Sequence, residues 1–111
     1  MSDLRKLTEE YVLHFNQKDL NALENMFCED ISLTDPDVSV QGKTAVLKAI
    51  DSIFKNFEKL DFRAQNICVD GRTSIIEFSL QLNEMYFVGT DIIEWDGSYL
   101  KSLRAYLYEK K

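Results

Sequence analysis

The chain has 111 residues, 45% hydrophobic and 29% charged, with four glycines and one proline. This composition suits one domain, residues 1–111, able to bury a single core without disulfide or metal staples. Nineteen acidic residues against thirteen basic give a formal charge of −6, which argues against nucleic acid as a partner, and no apolar run is long enough to span a membrane.

Ser2 or Asp3 can cap a first helix running to about Gln17, with Leu4, Leu7, Tyr11, His14 and Phe15 on one stripe. The opening "MSDLRKLTEEY" lacks the pattern of a signal peptide. A second, short helix follows Asp19 and carries Leu20, Leu23, Met26 and Phe27. The alternation in "DISLTD", residues 30–35, predicts a strand that stops at Pro36. After Gly42 a third helix carries Val46, Leu47, Ile50, Phe54 and Phe57 on its apolar face. Three longer strands follow. "DFRAQNICV" leads into a "DG" hairpin turn at 70–71. "TSIIEFSLQL" puts Ile76, Phe78, Leu80 and Leu82 on one face. "NE" at 83–84 then turns the chain into "MYFVGTDIIEW", and "DGS" at 96–98 leads into "YLKSLRAYLY". Helices first and strands later predict an α+β domain ending in an antiparallel meander. Cys28 and Cys68 have no metal or redox spacing and read as reduced thiols in a cytoplasmic protein.

Three polar side chains fall on faces that are otherwise apolar. Asp35 shares the parity of Ile31 and Leu33. Asp91 shares that of Phe87, Gly89, Ile93 and Trp95. Tyr11 lies within the Leu4–Leu7–Phe15 stripe. An ionised carboxylate is costly to bury, so such a group raises its pKa or finds a partner. Two carboxyls and a phenol in one apolar cavity could divide a reaction. One carboxyl would accept a proton, while the phenol and a protonated carboxyl would donate hydrogen bonds to a developing oxyanion. Each group also has a structural explanation. Asp-Pro is a common turn opener, a bulge at Gly89 would invert the parity of Asp91, and a helical tyrosine is often core. His14 is the only histidine, so schemes needing a histidine pair lack parts.

"EYVLHFNQKDLNALENMFCEDISLTDPD" (10–37) and "GTDIIEWDGSYLKSLRAYLYEKK" (89–111) resemble ketosteroid isomerases and SnoaL-like proteins of the nuclear transport factor 2-like superfamily. The shared pattern is a helix with Tyr, "DL" opening helix two, "MF" closing it, and a strand ending in "DP". The resemblance implies a cone-shaped α+β fold, with three helices packed into the concave side of a curved, mostly antiparallel sheet. It implies Asp35 as general base, Tyr11 as oxyanion-hole tyrosine and Asp91 as a carboxylic acid kept protonated by apolar surroundings.

A pocket between helices and sheet would then be lined by Phe15 and Phe54 from the helices and by Leu33 and Phe78 from the first strands. Ile93, Trp95, Leu103 and Ala105 would line it from the last two. The leading expectation is an isomerase or cyclase-like enzyme that moves a proton next to a carbonyl of a small apolar molecule, with no cofactor and no metal. The alternative is a non-catalytic ligand-binding or dimerising module; a third reading is a hydrolase or dehydratase with a carboxylate-positioned water. Tyr86, Val88, Ile92, Arg104, Tyr106 and Tyr108 should point outward, a face suited to a homodimer.

Overall fold

The structure is a computed structural model and describes residues 3–111. Ser2, one of the two expected caps, lies outside the described residues. Asp3 caps α1 (Leu4–Asn16), its side chain accepting from the Lys6 N–H at 3.1 Å. Asp19 caps α2 (Leu20–Met26) in the same way through the Ala22 N–H. Both carboxylates satisfy amides that the first helical turn leaves without an internal partner. Strand β1 (Phe27–Thr34) follows directly, so Phe27 opens a strand rather than closing a helix. A short β2 (Ser39–Gln41) pairs back onto β1 and leads through Gly42 into α3 (Lys43–Asn56). The long strands β3 (Leu60–Asp70), β4 (Thr73–Leu82), β5 (Met85–Asp96) and β6 (Tyr99–Glu109) complete the chain.

The strands form one curved, unclosed six-stranded sheet in the order β2-β1-β6-β5-β4-β3. Every pairing is antiparallel except β1 with β6, where the first strand joins the last. The three helices pack on the inner face, and Leu23, Ile31, Val46, Ile76, Ile93 and Leu100 are fully buried between the layers. This is the cone of helices on a mostly antiparallel sheet expected from the sequence.

Local irregularities shape the sheet. Gln65 is an extra residue in β3 between the Ala64–Phe78 and Asn66–Glu77 pairs, and Lys101 is one in β6 between the Leu100–Trp95 and Ser102–Glu94 pairs. Bulges of this kind bend a strand and increase its twist. Gly89 sits where β5 meets Leu107 of β6 most closely. A Cβ there would lie 2.7 Å from Leu107 Cα and nearer still to the Tyr106 carbonyl oxygen. Glycine is what lets the two backbones approach so closely here.

Two polar clamps tie the helices to the cone. Asn16, at the end of α1, accepts from the Phe62 N–H at 2.6 Å and donates to the Phe62 carbonyl at 2.5 Å. The Lys18 ammonium donates to the carbonyls of Phe54, Phe57 and Glu58, at 3.0, 2.6 and 3.3 Å. It thereby caps the C-terminal end of α3, where a positive charge is favoured.

Candidate functional site

Between the helices and the inner face of the sheet lies a cavity of about 550 Å³, within the range of small-molecule sites. Tyr11, Asp35 and Asp91 all border it. The helix α1 brings Tyr11 because its stripe faces the sheet. Strand β1 delivers Asp35 at its tip. Strand β5 presents Asp91 inward, directly between Ile76 of β4 and Ala105 of β6. Asp91 is 7% exposed and Tyr11 4%.

The three groups differ in what holds them. Asp35 is half-buried, and its Oδ1 accepts from the N–H groups of Asp37 (2.8 Å) and Val38 (2.7 Å). Its own N–H donates to the Val38 carbonyl at 2.8 Å. This is the side-chain-capped turn expected of Asp before Pro, and it fixes the carboxyl at the cavity's edge. Turn chemistry and cavity placement thus coincide in one residue.

Asp91 has no comparable support. Burial pushes its carboxyl up to about 7, and no hydrogen bond or ion pair from a described residue opposes that effect. Burial likewise raises the Tyr11 phenol well above its ordinary value, and the nearby Asp91 charge raises it further. Low polarity favours the neutral form of both groups. The pair therefore offers two O–H donors to the cavity once Asp91 is protonated.

The walls are aromatic and aliphatic. The Tyr11 ring meets Phe62 edge-on at 6.3 Å, and Phe62 meets Phe78 at 5.1 Å. Of the expected lining residues, Phe15, Leu33, Phe78, Leu103 and Ala105 border the cavity. Phe54, Ile93 and Trp95 do not, and belong to the core. Phe54 packs edge-on against Phe15 at 5.1 Å and is buried in the core. Ile93 is fully buried. Trp95 Nε1–H donates to Ser74 Oγ at 2.9 Å, and the Ser74 and Thr8 hydroxyls share a hydrogen bond of 2.8 Å. These contacts place Trp95 under α1, at the end of β5 away from the cavity. Alternation gives the face a residue occupies but not how far along the strand the helices cover it.

Lining residues missing from the expected set include Ile53 of α3, Phe57 just after it, Phe62 of β3, and Met85 and Phe87 of β5. Phe87 was legible, since it shares the parity of Asp91. Phe62 was not, because the bulge at Gln65 breaks the alternation that links it to Ile67. His14 lies outside the cavity, its Nδ1 buried without a partner among the described residues. Among the described residues no three His, Cys, Asp or Glu side chains gather as a metal site requires.

Comparison with known proteins relates the chain to others of the same fold. The family model of the SnoaL-like domain matches residues 8–98. No match is found among curated proteins. Solved structures with the same fold include a nuclear transport factor 2-like protein of unknown function from Cytophaga hutchinsonii. It is 12% identical with a TM-score of 0.81, over 99% of this chain and 92% of that one. A candidate ketosteroid isomerase from Kribbella flavida is 16% identical with a TM-score of 0.82, over 96% and 78%. An epoxide hydrolase of the LEH-like type from M. tuberculosis is 13% identical with a TM-score of 0.80, over 93% and 80%. At these identities the likeness is one of fold.

Proposed function

The chain belongs to the SnoaL-like domain family, and we propose that its cavity binds a small apolar carbonyl compound and moves a proton on the carbon beside that carbonyl. The observation that carries this reading is that Tyr11, Asp35 and Asp91 border one apolar cavity, with Asp91 buried and without a partner among the described residues. In this mechanism Asp35 takes the proton. Its Oδ1 is held by two amides, which leaves Oδ2 to face the substrate carbon. Tyr11 and protonated Asp91 donate to the carbonyl oxygen as negative charge develops there. An apolar ligand filling the cavity displaces water and so favours the protonated form of Asp91 further. No cofactor takes part.

The test uses 2-acetylnaphthalene, an apolar ketone with exchangeable methyl hydrogens, in D2O, with exchange followed by proton NMR. Asp35→Asn keeps the size and turn-capping oxygen but removes the proton acceptor, and should lose most of the protein-dependent exchange. Tyr11→Phe removes one donor and should cost about 100-fold. Wild-type exchange left intact by Asp35→Asn contradicts the mechanism. Binding of the ketone without any exchange supports the second reading, a non-catalytic ligand-binding module. That reading draws on the same Asp35 turn, whose amides account for the residue without catalysis.

A further inference from the structure

The carboxyl groups that border the cavity have no basic residue among them. Asp91 lies within it, and Asp35, Asp37 and Glu109 border it on the solvent side; Asp37 and Glu109 are exposed. Among the described residues that line it there is no lysine, arginine or histidine. Lys110 follows Glu109 in the chain but is not one of the lining residues. The Asp91 carboxyl is nine-tenths buried and makes no ion pair or hydrogen bond with a described residue. The ion pairs among the described residues lie elsewhere, such as Lys55 with Asp51 and Arg63 with Asp61.

Resting on the ligand-cavity reading above, we infer that the cavity selects its substrate by charge: it admits uncharged carbonyl compounds and rejects molecules of the same shape that carry a carboxylate, phosphate or sulfate. An anion would have to pass Asp37 and Glu109 and then lose its hydration between apolar walls, with no cation to replace the water. Where Asp91 is ionised, the anion would also meet a like charge that little solvent screens; where Asp91 is protonated, the cost of stripping the anion's hydration between apolar walls remains. An uncharged carbonyl meets none of these costs and finds two O–H donors. The ligand is therefore uncharged, with free acids and phosphorylated or nucleotide-linked carriers excluded. Asp37 and Glu109, which play no part in proton transfer, become specificity-determining residues. They act by opposing the wrong ligand rather than by holding the right one.

A matched pair of probes tests this. 2-Acetylnaphthalene and 2-naphthoate share the same rings and nearly the same outline, and differ by a methyl group against a carboxylate oxygen. Binding is measured for both by equilibrium dialysis at pH 7.5 and low salt. The ketone should bind at least about 30-fold more tightly, as expected for like-charge opposition at a binding surface. In the double variant Asp37→Lys/Glu109→Lys the ratio should shrink about tenfold, almost wholly through tighter naphthoate binding, because long-range charge sets the entry of the anion. Raising the salt concentration should narrow the wild-type ratio in the same direction. Naphthoate binding as tightly as the ketone overturns charge selection while leaving the cavity reading intact. So does a ratio that the folded double variant does not change. Binding of neither probe overturns both.

Discussion

Ionising Asp91 puts a charge between Ile76 and Ala105, beside a phenol that burial also keeps neutral. The displacement of its pKa from 3.8 to about 7 makes this a stability statement as well as a chemical one. The folded state holds the Asp91 proton more tightly than the unfolded state does. Between about pH 4 and pH 7 the folded protein therefore carries more protons than the unfolded chain, and stability falls as pH rises through that window. Above about pH 7 both states have lost the proton and the cost is constant, on the order of 4 kcal/mol at most. Asp91→Asn removes the titration, so relative to wild type the variant should gain most at pH 8 and least at pH 4. Urea melts at the two pH values check this; an equal difference between the proteins at both would show that Asp91 is hydrated or paired. The same residue would thus be retained at a cost in stability, the pattern expected where function sets a group against the fold.

At the scale of elements, Asp91 and Trp95 show what the sequence reveals and what it hides. Both occupy the inner face of β5, as their parity requires. Only Asp91 reaches the cavity, because α1 covers the Trp95 end through the Thr8–Ser74–Trp95 hydrogen bonds. Alternation is a local property and survives in the sequence; the coverage of a strand by a helix depends on residues such as Thr8 and Trp95 that lie far apart. The Asn16–Phe62 and Lys18–α3 clamps are of the same kind, linking positions 36 to 46 residues apart. The bulge at Gln65 is hidden for a different reason. One extra residue flips the parity of Phe62 against Ile67 without any change in composition. β2 is short, pairs at three positions only and lacks a buried residue, so nothing in its pattern marks it as a strand. Helix caps, turns and the order of the long elements were legible because Asp3, Asp19, Gly71 and Asn83 act on their immediate neighbours. Asp35 was legible twice over, as turn opener and as the inward tip of β1, and the structure shows both.

For the whole molecule, the outer face of the sheet carries a patch of exposed apolar and aromatic side chains. Tyr86, Tyr106 and Tyr108 are exposed there, with Val88 and Ile92 half-buried between them and the Glu94–Arg104 ion pair alongside. Tyrosine and arginine around an aliphatic centre make an interface composition, and a second copy of this chain is the expected occupant. Light scattering at micromolar concentration should give twice the 12.9 kDa chain mass, and Tyr106→Glu should shift the mass toward the monomer. A wild-type monomer at that concentration contradicts the pairing. On the inner face, a cavity between helices and sheet keeps the Asp91 carboxyl beside Tyr11 without a partner among the described residues. The most direct test of this arrangement is a pH titration of the Asp91 carboxyl carbon by NMR in the ligand-free protein. A midpoint near 7 is expected. A midpoint near 3.9, the value of an aspartate in water, would contradict it, since that carboxyl would be hydrated or paired and unable to serve as a donor at neutral pH.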